Sequence, residues 1–144
     1  PKGSLVVSEK GRGDEVISEL KANGNAALAD FPVVVIINKG SASASEILAG
    51  ALRDIRKTKL IGETSFGKGT VQQLLTLRDG SSVKLTIAHW VLPSGKVLEK
   101  EGIVPDVEVI ITDDDIKNKK DSQLDAAIKA VRAEIVAGKT VSNK

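Results

Sequence analysis

The sequence predicts an α/β fold, and three observations carry that reading. Residues 33–38 are a continuous β-branched run, Val-Val-Val-Ile-Ile-Asn, which suits a strand buried on both faces. After the break at Lys39-Gly40-Ser41, the apolar residues Ile47, Leu48, Ala51, Leu52 and Ile55 recur at helical spacing, with Glu46, Arg53 and Arg56 off that stripe. Leu60-Ile61 then reads as a second short strand. Strand, helix and strand in succession begin a parallel α/β arrangement.

The other elements follow in order. Residues 5–7 read as a short strand, Gly11-Arg12-Gly13-Asp14 as a turn, and residues 15–21 as a second strand. Residues 24–30 read as loop. The stretch 62–69 is a loop punctuated by glycine. Residues 70–77 and 82–92 read as strands joined by Arg78-Asp79-Gly80-Ser81, a hairpin signal because Asp and Gly tolerate positive φ. Pro93-Ser94-Gly95-Lys96 is another turn, and residues 107–111 a last short strand. Residues 112–120 read as a charged connection without pattern. Residues 122–136 carry Leu124, Ile128, Val131 and Ile135 at helical spacing, ended by Gly138, and 139–144 read as a frayed tail.

Composition narrows the function. The 144 residues suit one domain, and a net charge of +2 with no basic stripe predicts no nucleic-acid partner. No apolar run reaches the ~18 residues of a membrane span. Cysteine is absent, which excludes disulfides, a thiolate nucleophile and cysteine metal ligands; a single histidine argues against a histidine metal site. No metal and no cofactor is expected. Aromatic residues are only Phe31, Phe66 and Trp90, so the core must come from Val, Ile, Leu and Ala. The chain begins at Pro1 and lacks Met, and is expected to be a processed or excised piece of a longer protein.

Candidate chemistry starts at Gly40-Ser41-Ala42-Ser43-Ala44-Ser45-Glu46. A serine at a strand-to-helix junction sits where ligand sites of α/β sheets lie. The backbone N–H groups that follow can face an oxyanion. Ser43 and Glu46 also fit a capping box, which for this segment alone is the commoner use of the pattern. A serine nucleophile needs a base. His89 shares a strict alternation with Val83, Leu85, Ile87 and Val91, which reads as a packed histidine rather than a base. Lys68, between Gly67 and Gly69, is the other basic group in reach of neutral pH if burial, helped by Phe66, lowers its pKa. A solvated loop lysine is the ordinary alternative. The Gln72 carbonyl could hold the amine without adding charge. The stretch from Gly62 to Lys68 also satisfies G-x-x-x-x-G-K, but Gly69 stands where a phosphate-binding loop needs Ser or Thr, and a strand follows where that loop opens a helix.

Taken together, Gly40-Ser41-Ala42-Ser43-Ala44-Ser45-Glu46-Ile47 and Gly62-Glu63-Thr64-Ser65-Phe66-Gly67-Lys68-Gly69-Thr70-Val71-Gln72 resemble the C-terminal processing (tail-specific) serine proteases. The resemblance continues through Leu77-Arg78-Asp79-Gly80-Ser81, Pro93-Ser94-Gly95 and Gly102-Ile103-Val104-Pro105-Asp106. It implies a ClpP/crotonase-like α/β core, here partial and truncated on its N-terminal side. It implies Ser43 as nucleophile, Lys68 as general base, Gln72 orienting the lysine, and the Ala44 N–H as one oxyanion donor. Residues 1–32 would then be peripheral strands and loop, 33–111 the catalytic core, 112–120 the connection and 121–144 a C-terminal helix and tail. The implied activity is endoproteolysis near apolar C-termini without metal or nucleotide, on the periplasmic, membrane-associated or extracellular side. Family members carry a PDZ domain and an upstream asparagine-proline-glycine-glycine turn that supplies the second oxyanion donor. This sequence contains neither, so weak or absent activity on its own is expected, as is self-association into a homo-oligomer through uncovered apolar surface and an unpaired sheet edge. A noncatalytic α/β scaffold or protein-interaction domain related to such proteases is the alternative reading.

Overall fold

The computed structural model describes residues 1–99 and 101–138. The tail expected at 139–144 lies outside the described residues. The order is β1 (Leu5–Lys10), a 3-10 turn (Arg12–Asp14), β2 (Val16–Lys21), β3 (Val34–Ile37), α1 (Ala44–Arg56), β4 (Lys59–Gly62), β5 (Thr70–Thr76), β6 (Ser82–Val91), β7 (Val107–Glu108), α2 (Asp113–Lys117) and α3 (Ser122–Val136). The strands form two sheets among the described residues. One is antiparallel with order β2-β1-β6-β5, and the other has order β3-β4-β7 with both pairings parallel. The mixed α/β class is as expected, and α1 makes the parallel crossover from β3 to β4.

The core is aliphatic, as the scarcity of aromatics requires. Ile37, Ala49, Leu60, Leu92, Leu98 and Ile103 form one buried cluster, with Val35, Ile47 and Trp90 packed against it. The buried face of α1 matches the predicted stripe only in part: Ala51 is buried and Ile47 packs on the core, as expected. Glu46, Ala49, Gly50 and Ala51 are buried, whereas Leu48 is 58% exposed. The reason is close approach. A Cβ on Gly50 would lie 2.5 Å from Leu92 Cδ1, so small residues let the helix seat on the core. Leu48, Leu52 and Ile55 instead border a cavity of about 540 Å³ shared with Val6 and residues 25–29. Arg56 closes the end of this layer by donating to the carbonyls of Leu28, Ala29 and Phe31, which pins the loop before β3.

Four further expectations are corrected. β3 is not covered on both faces; it is an edge strand paired only with β4, and Ile36 is 38% exposed. The connection 112–120 contains α2, because Thr112 and Asp115 make a capping box with Asp115 N–H to Thr112 Oγ1 at 3.1 Å and Thr112 N–H to Asp115 Oδ2 at 3.0 Å. The predicted α3 stripe is largely exposed. Gln123 and Ala127 are the residues buried, and Gln123 Nε2 donates to the Val109 carbonyl at 2.9 Å. Finally, β6 is not regular. Val71 pairs with Ala88 and Gln72 with Thr86, so Ile87 is an extra residue on β6. That bulge flips the alternation, and His89 is therefore not on the face of Val83 and Leu85.

Candidate active site

β3 ends at Ile37, and the chain turns through residues 38–43 into α1. The turn is fixed locally: Asn38 Oδ1 accepts from Gly40 N–H at 2.9 Å, and Ser41 Oγ accepts from Asn38 N–H at 3.2 Å. Ser43 is the residue before the helix, with φ 55° and ψ −115°. A non-glycine residue there stores about 1–3 kcal/mol of backbone strain. Such strain persists only where neighbouring bonds over-determine it.

The capping box expected at Ser43 and Glu46 is formed. Ser43 N–H donates to Glu46 Oε2 at 2.9 Å, and the Ser43 side chain faces the Glu46 N–H. Ala44 opens the helix and is exposed, so its N–H is one of the terminal donors that no carbonyl inside the helix can satisfy.

The loop from Gly62 to Gly69 crosses beside this turn. Glu63 N–H donates to the Ile37 carbonyl and Phe66 N–H to the Ser41 carbonyl, both at 2.9 Å. Two glycines make the crossing possible. A Cβ on Gly62 would fall 2.1 Å from the Ile37 oxygen, and one on Gly69 1.2 Å from the Leu98 oxygen.

Glu46 joins the two segments. Its side chain is fully buried and accepts four hydrogen bonds. Oε1 accepts from Ser65 Oγ at 2.5 Å and Gly67 N–H at 2.7 Å. Oε2 accepts from Ser43 N–H and Lys68 N–H, each at 2.9 Å. One carboxylate oxygen therefore holds the backbones of both candidate dyad residues. Burial opposes ionisation of Glu46, but the hydrogen bonds from Ser65, Lys68, Gly67 and Ser43 outweigh it and hold the carboxyl below its ordinary value of 4.5. Ser65 extends the network, since its Oγ accepts from Ile103 N–H at 2.7 Å. Sequence reasoning gave Glu46 only a capping role and passed over Ser65. The available signal was a loop with many N–H groups and no acidic acceptor of its own except Glu63, which lies instead 3.2 Å from Lys39.

The side chains beyond this scaffold are less engaged. Lys68 and Gln72 are both exposed, and Phe66 is 63% exposed, so the desolvated lysine expected from the sequence is not formed here. Among the described residues, no hydrogen bond joins Ser43 Oγ to Lys68 Nζ, or Gln72 to Lys68. His89 sits away from Ser43 in the network, with Nδ1 3.5 Å from Glu99 Oε1 and no hydrogen-bond partner. Lys68 leads into strand β5, not a helix, so the loop lacks the form of a phosphate cradle. No cluster of candidate metal ligands occurs among the described residues, and no helix there is long and apolar enough to cross a membrane. Two cavities among the described residues, of about 460 and 540 Å³, are lined by neither Ser43 nor Lys68.

The family profile described as peptidase family S41 matches residues 1–109. The chain belongs to this family. It is 40% identical over 131 residues to the carboxyl-terminal-processing protease of Synechocystis, covering 89% of this chain and 30% of that protein. It is 53% identical over 79 residues to the carboxy-terminal processing protease CtpB of Bacillus subtilis, covering 55% of this chain and 16% of that protein. Among solved structures, the photosystem II D1 C-terminal processing protease aligns with a TM-score of 0.70 at 37% identity, over 76% of this chain and 28% of that one. The tricorn protease, at 23% identity and a TM-score of 0.55 over 70% of this chain and 10% of that one, shares the fold. The chain thus spans under a third of the length of these S41 relatives, which are C-terminal processing proteases.

Proposed function

We propose that this chain carries the Ser-Lys dyad of a serine endopeptidase that cleaves proteins near apolar C-termini, on a ClpP/crotonase-like core. The observation that carries this reading is the Glu46 carboxylate, which accepts from the backbone N–H groups of both Ser43 and Lys68.

In the proposed reaction the neutral Lys68 amine takes the Ser43 proton as Oγ attacks the scissile carbonyl. The Ala44 N–H donates to the oxygen that becomes negative, helped by the positive end of α1. Lys68 then gives its proton to the leaving amine, and water, activated by the same amine, hydrolyses the acyl-enzyme. Gln72 is the residue we assign to orient Lys68. Lys68 is exposed in this chain, and we assign weak or no activity to these 144 residues by themselves. By the relatives' nature, the complete protein is proposed to act on protein substrates on the periplasmic, membrane-associated or extracellular side, with a PDZ domain in its parent.

The test uses the full-length parent protein with an unstructured substrate ending in apolar residues. Ser43→Ala and Lys68→Ala should each abolish cleavage. Cleavage retained by either variant overturns the dyad, and cleavage with blocked apolar ends overturns the C-terminal preference.

A further inference from the structure

We propose that Gln123, in the first turn of α3, is a positioning residue for Ser43 and Lys68 and acts through Glu63. This inference rests on the dyad reading above. It extends that reading to a helix beyond the matched family profile, which ends at residue 109.

The two segments that carry the candidate dyad leave neighbouring parallel strands. β3 ends at Ile37 and leads to Ser43, and β4 ends at Gly62 and leads to Lys68. The segments touch where they part. Glu63 N–H donates to the Ile37 carbonyl at 2.9 Å, and a Cβ on Gly62 would lie 2.1 Å from the same oxygen. A shift at this crossing therefore displaces both segments together. Glu46 fixes their far ends, at the N–H groups of Ser43 and Lys68. What fixes their origin is Gln123.

Gln123 packs on the crossing itself. A Cβ on Gly62 would meet its Cδ at 3.4 Å. The side chain is buried, and its amide uses both N–H donors. One reaches the Val109 carbonyl at 2.9 Å, and Val109 N–H in turn donates to the Gly62 carbonyl at 2.8 Å. The other reaches Glu63 Oε1 at 3.4 Å. The other partner of Glu63 is Lys39, whose side chain is 85% exposed, and an ion pair so open to water contributes little. Gln123 is itself held from both sides. Ser122 Oγ donates to Asp115 Oδ1 at 2.8 Å, and Leu124 N–H donates to the Asp121 cap at 2.9 Å. The Val109 bond alone would make a structural glutamine. The second bond goes to a carboxylate on the loop that carries Lys68, and it ties α3 to the site. A misplacement of ~1 Å between reacting groups can cost about 10²-fold in rate, so a small slip at the crossing is enough to matter.

The test uses the full-length parent protein and a substrate ending in apolar residues. Gln123→Glu sets two carboxylates against each other. It should lower kcat by about tenfold or more and leave KM within about twofold, because alignment and not substrate binding is lost. Adding Glu63→Gln exchanges the pair and restores a donor opposite an acceptor. The Val109 bond is lost in the single and the double variant alike, so recovery reads the Glu63 contact alone. The double variant should regain most of the lost kcat. Should Gln123→Glu not fold, Gln123→Met keeps the length without the charge. It should lower kcat several-fold, and by at most about twofold in a Glu63→Ala background. A kcat for Gln123→Glu within about twofold of the parent, a double variant no faster than the single, or a Gln123→Met loss undiminished by Glu63→Ala overturns the proposal. Ser43→Ala separates the two claims. If it is inactive while the Gln123 variants keep the full rate, this inference alone fails. If it still cleaves, the dyad fails and this inference with it.

Discussion

Replacing Glu46 by Gln changes one oxygen to an amide nitrogen and leaves the shape alone. The carboxylate accepts four hydrogen bonds in a fully buried position. Bonds to an ionised acceptor contribute about 1.5–3 kcal/mol each, against roughly 1 kcal/mol for neutral ones. The least costly orientation puts the new amide NH2 at the Oε1 position, where the Ser65 hydroxyl can rotate to accept. Gly67 N–H then faces a donor and is orphaned, for about 1–3 kcal/mol. Ser43 and Lys68 N–H keep an acceptor but lose its charge. The sum is a loss of about 3–4 kcal/mol, well above the ordinary point mutation. For a domain of this size that lowers Tm by about 10 °C. Urea unfolding of both proteins at pH 7 checks it. The pH dependence gives a second sign. The folded-state pKa of Glu46 is depressed, so its contribution is present above the unfolded value and is lost as pH falls through the folded value. The gap between wild type and Glu46→Gln should therefore narrow in acid. A Glu46→Gln variant within about 0.5 kcal/mol of wild type at pH 7 refutes the reasoning, as does a gap that widens in acid.

Other consequences are independent of that network. Ser43→Gly should stabilise by roughly 1 kcal/mol by releasing the strained φ, read by chemical denaturation. Gly69→Ala sets a Cβ on the Leu98 carbonyl oxygen and should prevent folding, seen as loss of soluble protein and of near-UV circular dichroism. Gly50→Ala meets the movable Leu92 side chain instead and should cost about 1–3 kcal/mol in urea titrations. Thr112→Ala removes the cap of α2 and should cost about 1 kcal/mol, with faster hydrogen exchange confined to that segment.

The order of strands and helices was legible because each has a local cause. The β-branched run of β3, the glycine loop before β5 and the Asp-Gly turn at its tip each declare themselves within a few residues. What stayed hidden depends on partners distant in sequence. The α1 stripe pointed to Leu48 and Ile55, but Leu92 admits only the small face of Gly50. The bulge at Ile87 cannot be seen in β6 alone, since it exists only in the register with β5, and it moved His89 to the other face. β3 reads as a central strand in composition yet has one neighbour in this chain. The α2 cap was visible as Thr112 and Asp115 but was outweighed by the density of charge around it. At the site, the family resemblance pointed to Ser43 and Lys68, where residue types alone favoured a cap and a solvated lysine. The tie between them is a carboxylate whose four donors come from two segments, and no local pattern announces that.

The most direct test of the proposed dyad is mass-spectrometric mapping of a fluorophosphonate adduct on the full-length parent. The account predicts one adduct, on Ser43, that is lost in Lys68→Ala while the variant keeps its fold. An adduct on another serine, or one on Ser43 that forms equally fast without Lys68, would contradict it.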